Sequence, residues 1–115
     1  MHTISVLFTL LTALLHGYFF ILETFLWTTP FGLKTFQMSP EKAEVSKVLA
    51  ANQGVYNGLL ALGLLLTFFM ADSESLRTYC LSFIVIVGCY GAYSLRSRKV
   101  FLIQALPALI ALFTS

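Results

Sequence analysis

From Ser5 to Trp27 the chain carries one formal charge, Glu23, over a length that can cross a bilayer as a single helix. At about 100° of turn per residue, Ser5, Thr9, Thr12, His16, Glu23 and Trp27 fall within roughly 40° of one line, with Phe20 between His16 and Glu23. Nearly every hydrophilic group of the helix lies on that stripe. The remaining surface is Leu, Ile, Val, Phe and Ala. Such a helix turns its stripe toward protein and its other faces toward lipid, which marks where a site should lie.

The whole chain has the same character. It is 58% hydrophobic and 10% charged, where soluble domains carry about 25% charged residues. Its 115 residues leave room for one domain, and a net charge of +2 is too small to suggest nucleic acid. Cys80 and Cys89 lie about 13 Å apart along one predicted helix and on opposite faces, beyond disulfide reach. Without His or Cys neighbours they form no zinc pattern either. The first apolar run has no preceding Lys or Arg and exceeds the length of a signal peptide, so it is expected to remain on the mature protein.

Four segments are expected to span: residues 4–27, 46–70, 76–95 and 100–115. The predicted fold is all-α, an antiparallel bundle of four transmembrane helices in a single domain, 1–115. Thr28-Thr29-Pro30-Phe31-Gly32 is read as ending the first helix, with a loop to about Gln37. Ser39-Pro40-Glu41 starts the second, with a hydroxyl cap, Pro in the first turn and an acid at the positive end of the dipole. Ala71-Asp72-Ser73-Glu74-Ser75 and Arg96-Ser97-Arg98-Lys99 are the remaining turns. Pro107 is tolerable inside a membrane helix, where neighbouring groups satisfy the freed carbonyl.

Basic residues in short loops orient such a chain. Lys34, Lys42, Lys47, Arg96, Arg98 and Lys99 fall on the side of the first and third loops, against Arg77 alone on the other. The first and third loops are therefore expected in the cytoplasm and both termini outside.

On that topology four helices bring polar groups to one level. The first contributes His16, Glu23 and Trp27. The second contributes Asn52, Gln53, Tyr56 and Asn57 beside a small-residue stripe of Ala50, Gly54 and Gly58, whose G-x-x-x-G allows close approach of another backbone. The third stacks Tyr79, Ile86, Tyr90 and Tyr93 on one face, and the fourth supplies Gln104. The amides serve equally well as interhelical glue, and Trp27 and Tyr93 suit an interfacial aromatic belt. His16 alone reads as a core histidine. One His and one Glu on a single helix are too few ligands for a metal or haem, so no cofactor is expected. Glu23 stands apart, because a carboxylate within a span costs about 2.5–3.5 kcal/mol on insertion scales and usually marks a pathway or counter-ion.

Several stretches resemble a family of small bacterial membrane proteins, the domain of unknown function numbered 1304. They are His16-Gly17-Tyr18, Leu22-Glu23-Thr24-Phe25-Leu26-Trp27-Thr28-Thr29-Pro30 and Gly32-Leu33-Lys34-Thr35-Phe36. The likeness resumes at Ser39-Pro40 and runs from Lys47 to Gly58. It implies a four-helix integral membrane protein and brings no established reaction with it; the expected location is the bacterial inner membrane.

The leading functional expectation is a carrier or binding protein for a small lipophilic or cationic compound, with Glu23 as the ion-exchanging acid and Trp27, Tyr56, Tyr90 and Tyr93 as an aromatic wall. Small multidrug exporters resemble the chain in plan, although none of their motifs is present. Two alternatives stay open. One is a membrane enzyme acting on a lipid or isoprenoid with Glu23 and His16 as acid and base, about 10 Å apart along the axis. The other is a non-catalytic subunit or assembly factor. The expected partners are the bilayer, a small lipophilic ligand and, as an open option, a second copy of the chain.

Overall fold

The computed structural model describes residues His2–Ser115, and among these the only regular structure is helical. Helix α1 is Thr3–Phe25, α2 Pro30–Phe36, α3 Pro40–Leu66 and α4 Glu74–Leu95. A last helical run consists of α5 (Arg98–Val100), a π-helical turn (Phe101–Ala105) and α6 (Leu106–Phe113). Helices α1, α3 and α4 are long and apolar enough to cross a membrane.

Burial in α1 is inverted relative to a helix in water. Ser5, Thr9 and His16 are wholly buried, while Leu7 and Leu14 keep 58% and 59% of their surface. Hydrocarbon solvates leucine as well as a protein core does, whereas a polar side chain turned outward would meet only lipid tails. The helix sorts its residues as a lipid environment requires.

Two compact units divide the chain. The first, His16–Leu60, holds the end of α1, all of α2 and most of α3. The expected loop after the first span is in fact α2. Thr29 caps it, its hydroxyl accepting from the Gly32 N–H at 3.3 Å, and Pro30 stands in its first turn. Gly32 is not a breaker there. A Cβ at Gly32 would collide with the Leu26 carbonyl oxygen and lie 2.6 Å from that of Trp27, so glycine lets α2 fold back onto the end of α1. Helix α3 opens as expected, with Ser39 Oγ accepting from the Lys42 N–H at 3.1 Å.

The second unit joins residues 2–15 to Ala61–Ser115. Ser5 donates to the Ala111 carbonyl at 2.7 Å, fastening the start of α1 to α6. Helix α4 meets the last helical run at Gly88, where a Cβ would lie 2.9 Å from both the Cβ and the backbone nitrogen of Ala105. Ala105, Ala108 and Ala111 are fully buried, so small residues allow the helices to approach.

Three boundaries differ from the sequence reading. Helix α1 stops at Phe25, short of Trp27, and α3 at Leu66, short of residue 70, because polarity sets the length of a span and local hydrogen bonding sets where a helix stops. At the second of these ends, Thr67 donates to the Leu64 carbonyl at 2.6 Å and its own carbonyl accepts from Ser73 Oγ at 2.7 Å. The segment expected at 100–115 is not one uniform helix. Pro107 has no N–H for the Ile103 carbonyl, and the π-helical turn ends just before it, with the Leu106 N–H bonded to Phe101.

Candidate functional site

Within the first unit the end of α1 and the first half of α3 line a groove of about 350 Å³. Helix α1 and the turn after it contribute Glu23, Thr24, Phe25, Trp27 and Thr28, and α3 contributes Lys47, Val48, Ala51 and Asn52. The two helices meet through glycine. A Cβ at Gly54 would collide with Thr24 Oγ1 and lie 3.1 Å from Glu23 Cβ, and one at Gly58 would lie 2.8 Å from the Phe20 ring. Thr24 Oγ1 in turn donates to the Ala51 carbonyl at 3.4 Å.

That approach brings Asn57 against Glu23. Asn57 Nδ2 donates to Glu23 Oε1 at 2.6 Å. Oε2 accepts no hydrogen bond among the described residues. One oxygen is thus held and the other is not. Trp27 is fixed from two sides: its indole Nε1 donates to Ser46 Oγ at 3.0 Å, and its ring lies 4.7 Å from that of Phe36 in α2. Ser46 Oγ in turn donates to the Lys42 carbonyl at 2.7 Å. Lys47, the only cation lining the groove, pairs with Glu44 on the exposed face of α3.

The expected site residues therefore divide. Glu23, Trp27 and Asn52 line the groove, with Asn57 bonded to Glu23 behind it. Gln53 and Tyr56 are exposed on α3. Of the three amides of α3, Asn57 bonds to Glu23, and Asn52 and Gln53 do not. His16 is buried with its ring 5.4 Å from that of Phe19, and it does not line the groove. Tyr90, Tyr93 and Gln104 belong to the other unit, where both tyrosines are exposed. Thr24, Thr28, Ser46 and Lys47 went unnamed as site residues. The spacing of small residues on α3 holds the missing signal: Ala43, Ala50, Gly54, Asn57, Ala61 and Leu64 are its buried face, a heptad-like row in which Asn57 is the one polar member.

No group of three or more His, Cys, Asp or Glu side chains that could hold a metal ion occurs among the described residues. The chemistry on offer is one carboxylate, one amide, one fixed indole and threonine hydroxyls. It suits binding of a cation and proton exchange with it.

Comparison with known proteins adds no reaction to this set of groups. Residues 10–115 match a family described as a protein of unknown function, DUF1304. The uncharacterized protein YpaA of Lactococcus lactis is 34% identical, the alignment covering 100% of this chain and 98% of that protein. No solved structure matches the chain. Together these matches make the chain a member of the DUF1304 family.

Proposed function

We propose that the protein is a single-domain, four-span carrier or binding protein of the bacterial inner membrane, and that it takes a small lipophilic cation in the groove beside Glu23. The observation that carries this reading is the Glu23 carboxylate, held at Oε1 by Asn57 and sharing its groove with the fixed ring of Trp27. A carboxylate and an aromatic face are the two groups that attract an organic cation in a partly desolvated site. A proton competes for the same oxygen, which supplies a means of exchange. The fourth span would be the run from Arg98 to Phe113, about 24 Å long at 1.5 Å per residue, short enough to require tilting of its neighbours or local thinning of the bilayer. The enzyme reading needs His16 and Glu23 at one substrate, and the burial of His16 away from the groove gives it no support.

The test is binding of tetraphenylphosphonium to the purified protein across a pH series. The parent should bind it in competition with protons. Glu23→Gln should fold and lose the pH-dependent part, and Glu23→Asp should keep binding with a displaced pH profile. A Gln variant with the parent's full profile would make the carboxylate structural.

Orientation has its own test, in a background lacking Cys80 and Cys89. Cysteines introduced at Lys34 and Ser97 should resist an impermeant thiol reagent in intact cells, and those at Ser73 and Ser115 should react. The opposite pattern would invert the topology.

A further inference from the structure

We infer that the turn between α4 and α5 is a seat for the phosphodiester headgroup of an anionic phospholipid. The inference rests on the membrane reading of the chain and not on the role of Glu23. A second groove, of about 450 Å³, lies here, with Tyr93, Arg96, Arg98, Phe101 and Leu102 among its walls. Its polar side is cationic. Residues 75–115 contain Arg77, Arg96, Arg98 and Lys99 and no Asp or Glu. Among the described residues the only ion pair is Lys47 with Glu44, so the two guanidiniums at the groove have no acid of their own. Arg presents planar, forked donors that match phosphate oxygens two at a time.

The backbone of this turn is fixed by its own hydrogen bonds. Arg96 caps α4 in the left-handed conformation, φ 52° and ψ 47°, its N–H bonded to the carbonyls of Ala92 and Tyr93. Ser97 Oγ accepts from the Val100 N–H at 3.3 Å, leaving the hydroxyl proton for an incoming oxygen. Directly beside the charges the surface is apolar: Tyr93 keeps 80% of its surface, Leu95 69% and Leu102 55%. A soluble anion would use the arginines and gain nothing from these side chains. A phospholipid uses both, with its phosphate on the guanidiniums and its acyl chain along Tyr93 and Leu102. Basic pockets at the ends of transmembrane helices bind anionic headgroups on this principle.

The position of Arg96 supplies a clean variant. A left-handed backbone is strained for a side chain and free for glycine, so Arg96→Gly removes the guanidinium and keeps the cap. The experiment is native mass spectrometry and thermal melting of the full chain in neutral detergent. Titrants are phosphatidylglycerol, phosphatidylcholine with the same acyl chains, and inorganic phosphate. Phosphatidylglycerol should form a one-to-one adduct and raise the melting temperature, more weakly as salt is added, and the other two should do neither. Arg96→Gly and Arg98→Gln should each weaken the adduct about fivefold, the value of one basic residue near an anionic headgroup. Equal binding of the two lipids, or undiminished phosphatidylglycerol binding by the double variant, would overturn the proposal. So would an adduct of the parent indifferent to salt. Stabilisation by inorganic phosphate alone would also overturn it, in favour of a soluble anion.

Discussion

Two grooves of similar size carry opposite charge and treat it differently. Around Glu23 the chain answers its own acid: Asn57 reaches across from α3 to hold one oxygen, and Trp27 is tied to Ser46 and Phe36. Around Arg96 and Arg98 the chain supplies no anion at all. The difference separates two kinds of polar residue in a chain of this composition. A charge with an internal partner is part of how helices are joined, and a ligand must compete with or complement that partner. A charge without one is directed to something outside the chain.

Both units use glycine for close helix approach, and the largest expected effects lie there. Gly58→Leu would drive its side chain into the Phe20 ring, and Gly88→Leu into the backbone of Ala105. Overpacking typically costs about 1–3 kcal/mol, and more where backbone must move. Gly54→Leu and Gly58→Leu should abolish folding or lower the melting temperature by several degrees, and Gly88→Leu should do the same in the other unit. Gly63 is the internal control. A Cβ there meets only Cys80 Sγ at 3.8 Å, so Gly63→Ala should be neutral or stabilise by about 0.5–1 kcal/mol through the helix preference of alanine. If the three Leu variants melt like the parent, the glycines do not set the packing of either unit.

A smaller effect tests the comparison itself. Asn57→Ala leaves the carboxyl of Glu23 without its amide, and leaving a buried acceptor unsatisfied costs about 1–3 kcal/mol. Arg98→Gln removes a charge that has no partner and should leave the melting temperature in neutral detergent unchanged. A parent-like melt for Asn57→Ala, or a marked loss for Arg98→Gln, would erase the distinction between an answered and an unanswered charge.

Much of the fold was legible because membrane chemistry writes long signals. Charge-free runs mark α1, α3 and α4, and Ser39-Pro40-Glu41 marks the start of α3 by hydroxyl, ring and acid together. Helix α2 was hidden although Thr29-Pro30 is the same kind of signal, because Gly32 two residues on reads as a breaker. Its actual reason is the nearness of the Leu26 and Trp27 carbonyls, a tertiary fact. At the site, Glu23 and Trp27 could be named from the α1 stripe alone. The choice among Asn52, Gln53 and Asn57 could not be made without the rotation of α3, and that rotation is set by the row of small residues that packs inward. Tyr90 and Tyr93 share a face as predicted by spacing, but spacing cannot say whether a face is turned in or out, and both are exposed.

The smallest effect offers the sharpest separation of the two grooves. Trp27 is the single tryptophan of the chain, so intrinsic indole emission reports on one place. It lines the Glu23 groove and not the arginine groove. A cation bound beside Glu23 should therefore alter the emission of Trp27, whereas phosphatidylglycerol bound at Arg96 and Arg98 should melt-stabilise the protein and leave the emission unchanged. Ser46→Ala calibrates the reading. It removes the acceptor of the indole N–H, an interaction worth about 0.5–1.5 kcal/mol, while the contact with Phe36 still holds the ring. The variant should fold, melt slightly below the parent and show a shifted emission maximum with tetraphenylphosphonium still bound. If phosphatidylglycerol shifts the emission of the parent as much as the cation does, the two grooves do not act as separate sites, and the opposition between them would have to be replaced by a single site answering to both charges.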